Sequence, residues 1–335
     1  MPPVCLLVNP SAGGGRARKA APGVERRLRE LGLEVRRADT RDLAHARALA
    51  LQAARAGEVV AVLSGDGTIG AVADALREVP GATVGVLPGG RGNDLARVLG
   101  ISQDPLRACT TIARGVPRAM DVGEVDGRAF VGIASVGFDS DANRIANRAP
   151  SWLGNLVYVY GALRALLAWR PARFEIKLEP SGERVSISAY TVGAANSRSY
   201  GGGMRAAPDA LLDDGLLDVL ALESVSKLRF LFKILPQVFS GAHTSEPSVR
   251  AWRAKEVAIS ADRPFAMYAD GDPIGELPVR VRALTGAIGV LVPTDAPATG
   301  AAFGATVSLN ADDAPLSPRS SGPATPAPGS SLGES

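Results

Sequence analysis

Short, continuously apolar segments alternate with amphipathic ones over the first third of the chain. Mainly apolar residues occupy positions 4–8, 59–63 and 83–87, and each segment is followed by a glycine-rich loop and then by a helix-like stretch. Continuous apolar runs of this length are typical of strands buried on both faces, and their alternation with helices is typical of a parallel α/β sheet. We therefore expect an N-terminal α/β domain whose three loops lie together at the carboxyl ends of the strands.

Beyond residue 121 the pattern changes to strand-like segments joined by turns. They lie at 128–136, 173–179, 185–194, 216–222, 256–260 and 279–283, and they predict a β-rich sandwich domain. We place the α/β domain at 1–121, with the last strand, 286–293, as a candidate to join its sheet, and the sandwich at 122–285. The tail at 294–335 consists mainly of Ala, Pro, Ser, Gly and Thr, which predicts disorder.

Two longer apolar segments, 152–169 and 224–239, interrupt the second domain. Their apolar faces carry aromatic residues, and Lys227, Arg229 and Lys233 are interleaved in the second. This composition is typical of helices that dock on a bilayer surface, although helices packed on the sandwich are the alternative. Asn155 and Arg164 break the first segment, so no transmembrane helix is predicted.

The loop after the second strand holds Asp66 between Gly65 and Gly67. Glycines let backbone N–H groups approach an anion, and the following helix adds its N-terminal dipole. A carboxylate inside such a loop would repel a bare phosphate, so it indicates Mg²⁺ or a hydroxyl or water partner. The loop therefore predicts nucleotide phosphate chemistry. The dinucleotide fingerprint that Gly65, Gly67 and Gly70 also match is disfavoured, because the next strand ends in prolyl-glycyl-glycine and not in an acidic residue.

Composition narrows the classes of partner. The net charge is +3, and the tail beyond Pro293 is itself acidic, so the body of the chain is mildly basic. That excess suits an anionic ligand or membrane surface. No basic run with interleaved aromatics indicates nucleic acid. Cys5 and Cys109 are too few for a disulfide framework or a cysteine metal motif.

Six motifs together resemble the diacylglycerol kinase catalytic-domain family, which includes bacterial lipid kinases, sphingosine kinases and ceramide kinases. They occur in the family order at 9–13, 65–68, 87–94, 196–203, 208–215 and 270–272. The resemblance covers residues 4 to 293. It implies an ATP- and Mg²⁺-dependent kinase that phosphorylates a lipid hydroxyl, diacylglycerol-like or sphingoid-like, in a cleft between a nucleotide domain and a lipid-acceptor sandwich. A cytoplasmic protein that contacts the membrane peripherally is expected; a homodimer is compatible with the sequence, and a nucleic-acid partner is not expected.

The same resemblance implies roles for individual residues. Those expected at ATP are Asn9, Pro10, Ser11, Ala12, Gly13, Thr40, Ser64, Gly65, Asp66, Gly67, Thr68, Gly90, Arg91 and Asn93. Asp66 would organise the Mg²⁺ or water network at the phosphates, assisted by Asp94, whose alternative role is helix capping. Asp272 replaces the family's glutamate as general base, and an Asp-Gly hairpin turn is the alternative.

A second metal site and two other functions stay open. Leu211, Asp214 and Leu216 match a structural Mg²⁺ site of related bacterial enzymes, with an acidic turn as the alternative. Arg91, Ala71 and Asp272 depart from the residues that many members carry. A kinase of a soluble acceptor, like the related NAD kinases, and a non-catalytic nucleotide or lipid sensor are therefore the alternative functions.

Overall fold

Four parallel strands form the N-terminal part of the sheet, as the apolar pattern predicts. The computed structural model describes residues 2–148 and 156–296. Its first strands are β1 (Val4–Val8), β2 (Val35–Asp39), β3 (Val59–Ser64) and β4 (Thr83–Pro88). β1 pairs in parallel with β2 and β3, and β3 pairs in parallel with β4. The carboxyl ends of β1, β3 and β4 therefore lie side by side.

Helices connect these strands and cover the sheet. They are α1 (Ala12–Glu30), α2 (Leu43–Arg55), α3 (Asp66–Leu76), α4 (Asp94–Val98) and α5 (Pro105–Arg114). In α1 the buried residues are Ala17, Ala21, Val24 and Leu28, a spacing that places them on one face. Gly13, Gly14 and Gly15 have left-handed backbone conformations within the first turn, so the regular part of α1 begins after the glycine loop.

The second domain is β-rich, as predicted. Its strands are β5 (Val116–Val125), β6 (Arg128–Phe130), β7 (Ile133–Gly137), β8 (Ala172–Glu179), β9 (Arg184–Ala195), β10 (Leu217–Glu223), β11 (Val249–Ala254), β12 (Glu256–Ala261), β13 (Ala266–Ala269), β14 (Asp272–Glu276) and β15 (Val279–Val292). Neighbouring strands here pair antiparallel. In β8, buried and more exposed positions alternate, which is the pattern of a strand with one face in the core.

One long strand joins the two domains. The first half of β15 pairs antiparallel with β12, and its second half pairs in parallel with β4, where Gly289 lies opposite Thr83. β5 runs antiparallel to β15 along most of its length. The predicted boundary at 285/286 therefore falls within β15, and the pairing produces one continuous sheet of fifteen strands.

The helical segments of the second domain differ from the expectation in detail. The helix predicted at 152–169 corresponds to α7 (Leu156–Ala168), while residues 152–155 lie outside the described part of the chain. An additional helix, α6 (Phe138–Arg148), precedes it; its polar sequence hid it from the hydrophobic pattern.

The segment predicted at 224–239 is not one regular helix. It forms α8 (Lys227–Arg229), a π-helical turn (Phe230–Ile234) and α9 (Leu235–Val238), followed by a 3₁₀ turn (Ala242–Ser245). Pro236, which lacks an N–H donor, lies where the π-helical turn gives way to α9. No described helix is long and apolar enough to span a bilayer. The predicted disordered tail lies beyond the described residues, except for positions 294–296.

Candidate active site

The carboxylate of Asp66 caps a helix that belongs to a different loop. Asp66 begins α3, and its two oxygens accept hydrogen bonds from the N–H groups of Asp94 and Leu95, each at 3.0 Å. These donors belong to the first turn of the short helix α4, whose own N-cap residue, Asn93, makes no capping hydrogen bond. The side chain of Asn93 instead accepts from the Gly90 N–H at 2.7 Å. Asp66 therefore fixes the position of Asp94.

Asp94 links the two domains. Its Oδ2 accepts a 2.7 Å hydrogen bond from the N–H of Gly202, which belongs to a three-glycine turn of the β-rich domain. Its Oδ1 is buried and has no hydrogen-bond partner among the described residues, with the Arg97 guanidinium 3.8 Å away. Burial raises the pKa of Asp94. One carboxylate oxygen thus remains available in a buried site.

Asp270 closes the opposite side of the site. It has a left-handed backbone conformation at the start of the β13–β14 hairpin. Its carboxylate accepts from the N–H groups of Val131 and Gly132, both at 2.8 Å. Burial, together with the nearby carboxylates of Asp66 and Asp272, raises the pKa of Asp270 to about 7 against the lowering effect of the two N–H donors. The Asp-Gly turn, which the sequence offered as the alternative role of this segment, is present between β13 and β14, and the role of Asp272 as general base stays a prediction.

Two glycines of α3 make room for this hairpin. A Cβ at Gly67 would lie 2.8 Å from Oδ2 of Asp272, and a Cβ at Gly70 would lie 2.8 Å from Oδ2 of Asp270. Both distances are too short for a real side chain. The spacing of Gly67 and Gly70 therefore serves the approach of two carboxylates, a requirement that the sequence did not reveal. Asp272 lies at the exposed rim, where partial burial raises its pKa.

These carboxylates face a cleft between the two domains. Asp66, Gly92, Asp94 and Leu95 line it from the α/β domain. The wall from the β-rich domain consists of Val131, Gly132, Ile133, Ser135, Ser197, Ser199, Tyr200, Gly201, Gly202, Tyr268, Asp270 and Gly271. Asp272 is absent from this lining and reaches the site through its contact with Gly67. The cleft is therefore acidic at its base and rich in hydroxyl groups on one wall.

The three glycine loops predicted at the nucleotide are in direct contact. The Asn9 side chain donates to Oγ1 of Thr68 at 3.1 Å and accepts from Ser11, which ties the first loop to the second. Gly65 and Gly90 touch so closely that a Cβ at Gly90 would overlap the second loop. The Thr40 N–H donates to the Val8 carbonyl, so Thr40 joins the same edge of the sheet.

Arg16 is a residue that the sequence interpretation missed. Its guanidinium donates to the carbonyl groups of Gly13, at 3.2 Å, and Gly90, at 2.5 Å, and so it joins the first loop to the third. Its position directly after three glycines was the available signal. Arg91 is exposed and Ser64 is buried, while Pro10, Ala12 and Gly13 lie on the first loop. The contacts of these residues with a nucleotide stay predictions.

The arrangement fits a magnesium ion that arrives with nucleotide phosphates. Mg²⁺ bound in this way needs only one or two protein carboxylates, because phosphates and water complete its coordination. The buried Oδ1 of Asp94, which has no hydrogen bond in the described structure, would be such a ligand, whereas both oxygens of the neighbouring Asp66 accept backbone hydrogen bonds. No cluster of three or more potential side-chain ligands occurs among residues 2–148 and 156–296, so the site would depend on the nucleotide.

At the predicted metal site of Leu211, Asp214 and Leu216, the Asp214 carboxylate already has hydrogen-bond and ion-pair partners. The Asp214 carboxylate accepts from the Leu216 N–H at 3.0 Å and forms an ion pair with Arg253. A cation at this carboxylate would have to compete with the Arg253 guanidinium. The metal site at Leu211, Asp214 and Leu216 therefore stays a prediction.

Two family models match the chain, one in each domain. Residues 3–125 match the family model described as the diacylglycerol kinase catalytic domain. Residues 132–292 match the YegS C-terminal NAD kinase beta sandwich-like domain. Together the two models span most of the described chain.

Individual proteins are similar over nearly their whole length. A diacylglycerol kinase of Mycobacterium tuberculosis is 34% identical over 301 residues, which are 87% of this chain and 95% of the relative. A diacylglycerol kinase of Bacillus subtilis is 29% identical over 82% of this chain and 90% of its own. A solved structure of a diacylglycerol kinase from Bacillus anthracis shares the fold, with a TM-score of 0.69 at 19% identity, over 88% of this chain and 98% of that one.

Proposed function

The chain belongs to the diacylglycerol kinase catalytic-domain family of lipid kinases, and on this premise we propose that it transfers the γ-phosphoryl group of ATP to the hydroxyl of a lipid. The observation that carries the proposal is the convergence of Asp66, Asp94 and Asp270 on one cleft beside three glycine loops. Phosphoryl transfer needs little covalent chemistry from a protein, and it depends on positioning and charge. The cleft supplies both.

The glycine loops and Arg16 are suited to hold the phosphates. Backbone N–H groups at a helix N-terminus attract anions, and α3 begins at the loop that carries Asp66. The chemistry that Mg²⁺ supplies when bound is neutralisation of charge on the phosphate oxygens. Oδ1 of Asp94 would hold the ion. The Asp66 carboxylate would keep Asp94 in place by accepting hydrogen bonds from the backbone N–H groups of Asp94 and Leu95.

Asp272 is proposed as the general base. The oxygen of the lipid hydroxyl attacks the γ-phosphorus, and the hydroxyl proton passes to the Asp272 carboxylate. The bond between the γ-phosphorus and the β,γ-bridging oxygen breaks, and ADP leaves with that oxygen and its electron pair. Burial raises the pKa of Asp272, which makes it a better proton acceptor. Both oxygens of Asp270 already accept backbone hydrogen bonds, so Asp270 positions the hairpin that carries Asp272.

An exposed apolar surface supports contact with a membrane. Leu167 of α7 is 80% exposed, while Leu228 and Phe232, four residues apart, are 69% and 74% exposed. The Lys227 ammonium donates to the Leu167 carbonyl at 2.9 Å, so these residues form one patch. Lys227, Arg229 and Lys233 lie among them, and Glu246 forms ion pairs with the last two, so three cations and one carboxylate leave this cluster with a positive charge. Apolar residues with basic neighbours suit an anionic bilayer surface, from which the lipid acceptor would be drawn.

A transfer assay tests the proposed function. The protein is incubated with γ-labelled ATP, Mg²⁺ and a total lipid extract in micelles, and labelled lipids are identified by mass spectrometry. We expect label in a lipid phosphate monoester, and none with Asp66→Asn. Label only in a water-soluble product would favour a soluble acceptor. Nucleotide binding without any transfer would favour a sensor, and either outcome would overturn the proposal.

A further inference from the structure

The turn that contacts Asp94 consists of three consecutive glycines. Gly201, Gly202 and Gly203 all have positive φ angles, between 62° and 108°. Glycine loses more conformational freedom on folding than any other residue, so three in a row do not hold a turn in one position by themselves. This turn nevertheless places the Gly202 N–H 2.7 Å from Oδ2 of Asp94. Contacts made by its neighbours therefore have to fix it.

Tyr200, the residue before the glycines, provides such contacts. Its N–H donates to the Met204 carbonyl at 2.9 Å, and the Met204 N–H donates to the Tyr200 carbonyl at 3.0 Å. These two bonds close the turn. The Tyr200 hydroxyl donates in addition to Oδ2 of Asp139 at 3.2 Å, and this bond connects the turn to the start of α6.

Asp139 is a well-held acceptor for this hydrogen bond. It lies in the first turn of α6, which begins directly after β7. The hydroxyl groups of Ser135 and Thr191 also form hydrogen bonds with its carboxylate. Burial and the nearby Asp139 carboxylate both raise the pKa of Tyr200 well above its ordinary value. The phenol therefore keeps the proton that it donates.

The residue before Asp139 anchors the start of α6 in the domain. The Phe138 ring packs edge-to-face against Trp169, Tyr190 and Phe230, with ring centroids 4.8 to 6.2 Å apart. Phe138 is 3% exposed. The Asp139 carboxylate is therefore attached to a packed aromatic core, and Tyr200 gains a rigid partner.

On its other side the glycine turn lies directly against the third glycine loop. A Cβ at Gly92 would be only 3.2 Å from the backbone nitrogen of Gly202 and 2.8 Å from Oδ2 of Asp94. A small displacement of the turn would therefore change the hydrogen bond that orients the Asp94 carboxylate. The contacts run without a gap from Asp139 through Tyr200 and Gly202 to Asp94.

We propose that Asp139 and Tyr200 are positioning residues for phosphoryl transfer: the hydrogen bond between them holds the glycine turn so that the Gly202 N–H orients the Asp94 carboxylate. This inference rests on the proposed function, in which Oδ1 of Asp94 would hold the magnesium ion. Both residues act through Asp94 and need not touch the reacting atoms. Asp139 lies outside all six sequence motifs, so the role is assigned from the fold.

Amide hydrogen exchange tests the positioning without any need for activity. Tyr200→Phe removes the donor and keeps the ring. Exchange in peptides that contain Gly202, followed by mass spectrometry, should become about three- to tenfold faster, the range expected for one hydrogen bond. Asp139→Ala removes the acceptor and should have the same effect. Asp139→Asn keeps an oxygen acceptor and should stay close to the parent.

Tyr190→Phe is the matched control. Its hydroxyl donates to the Val225 carbonyl at 3.0 Å, so this variant also loses a phenol hydrogen bond in the same domain. Because that bond is not connected to the glycine turn, exchange at Gly202 and turnover should both equal those of the parent.

Kinetics with γ-labelled ATP and a micellar lipid extract connects the turn to the reaction. Tyr200→Phe should lower turnover by about three- to tenfold and raise the Mg²⁺ concentration for half-maximal rate by a similar factor. In an Asp94→Asn background the same change should have no further effect on turnover, since residues that act through one another are not additive.

Two outcomes would overturn the inference and leave the proposed function standing. One is unchanged exchange at Gly202 in Tyr200→Phe, which also serves if the alanine variant does not fold. The other is an equal loss of turnover from Tyr200→Phe in the parent and in the Asp94→Asn background, because a merely structural role predicts additive losses. A parent that transfers no label would contradict the proposed function, and the inference would fall with it.

Discussion

The N–H of Gly202 donates to Oδ2 of Asp94 at 2.7 Å, so a glycine turn of the β-rich domain is fastened to a carboxylate of the α/β domain. Gly202 can adopt its positive φ of 88° without strain. The bond occupies one oxygen of Asp94, while the other is buried without a hydrogen bond in the described part of the chain and lies 3.8 Å from the Arg97 guanidinium. The same carboxylate therefore has a structural and a chemical task, and the two can be separated by mutation.

Asp94→Asn should separate them. The amide oxygen can still accept from Gly202, so the melting temperature should stay within a few degrees of the parent. The negative charge is lost, and turnover should fall by about 10²–10³, as for other groups that act on charge at a reacting centre. Calorimetry and steady-state kinetics give the two values. Asp94→Ala should lose both stability and turnover, and an active Asn variant would contradict the role of Asp94 in metal binding.

Asp66→Asn should reduce stability as well as activity. Its two carboxylate oxygens accept from the N–H groups of Asp94 and Leu95, and an amide can accept only one of these bonds. The other N–H would then face the amide NH₂ group, at a cost of about 1–3 kcal/mol. Denaturant unfolding measures the loss, with Glu34→Gln, an exposed acid, as the control. A variant as stable as the parent would show that α4 needs no cap from Asp66.

The stability of the protein should depend on the protonation of Asp270. Its pKa of about 7 in the folded chain lies above its ordinary value of 3.8, so the folded state holds the proton more tightly than the unfolded state. This contribution to stability is complete below about pH 4 and is lost as the pH rises through about 7. Asp270→Asn should therefore show a smaller fall in melting temperature between about pH 6 and 8 than the parent.

The control for this experiment is again Glu34→Gln, whose melting curves should follow the parent's pH dependence. The Asn variant also loses one backbone hydrogen bond, but that loss is constant across this range and shifts the curve without changing its slope. Parallel slopes for parent and Asp270→Asn would mean that Asp270 is already ionised at pH 6.

Two variants test the role of Asp272: one removes the charge of its side chain, and the other lengthens the side chain by one methylene group. Asp272→Asn should lower turnover by about a hundredfold or more, since general bases supply 10²–10⁴, while ATP binding survives on the other domain. Asp272→Glu should retain measurable activity if the rim, where Asp272 is exposed, accepts one more methylene group. Rapid-quench kinetics would report the chemical step. Parent-like turnover in the Asn variant would place the base elsewhere, with Asp270 as the first candidate.

The exposed patch predicts a membrane-binding phenotype. Replacing Leu228 and Phe232 together by serine should weaken binding to anionic vesicles by more than tenfold, because burial of each side chain contributes about 1.5–3 kcal/mol. Activity on a short-chain acceptor in solution should be unchanged. Vesicle sedimentation measures the binding. Leu43→Ser, an exposed leucine on α2, is the control, and equal binding by all three proteins would contradict the proposed contact.

Local features of the site could be predicted, because strand, glycine loop and helix follow one another directly in the sequence. The loops at residues 9–13, 64–68 and 88–94 were identified in this way, and the structure brings them together. The partners of their side chains could not be predicted, since Asp94 meets Gly202 and Asp270 meets Gly132 across more than a hundred residues. Gly67 and Gly70 show the limit clearly: they suggested a phosphate cradle, whereas in the fold they admit two carboxylates.

The sequence predicts the β-rich class of the second domain correctly, but it predicts the individual strands and helices less accurately. β8 and β9 alternate in burial and were identified with nearly correct bounds. β13 and β14 are short and flank an Asp-Gly turn, so their pattern covers too few residues to be distinguished from a loop. In the π-helical turn at Phe230–Ile234, the Phe230 ring packs against Phe138 and Tyr190, which lie far away in the sequence.

The continuity of β15 has a consequence for how the chain folds. Because Gly289 pairs with Thr83, β4 remains an unprotected apolar edge until β15, the last strand of the described residues, has been synthesised and has crossed back. Edges of this kind invite pairing with other chains, and contacts so distant in sequence form slowly. The N-terminal α/β domain is synthesised first but completes its sheet only after β15 has paired with β4. Residues 1–121 expressed alone should therefore aggregate, whereas the full chain folds.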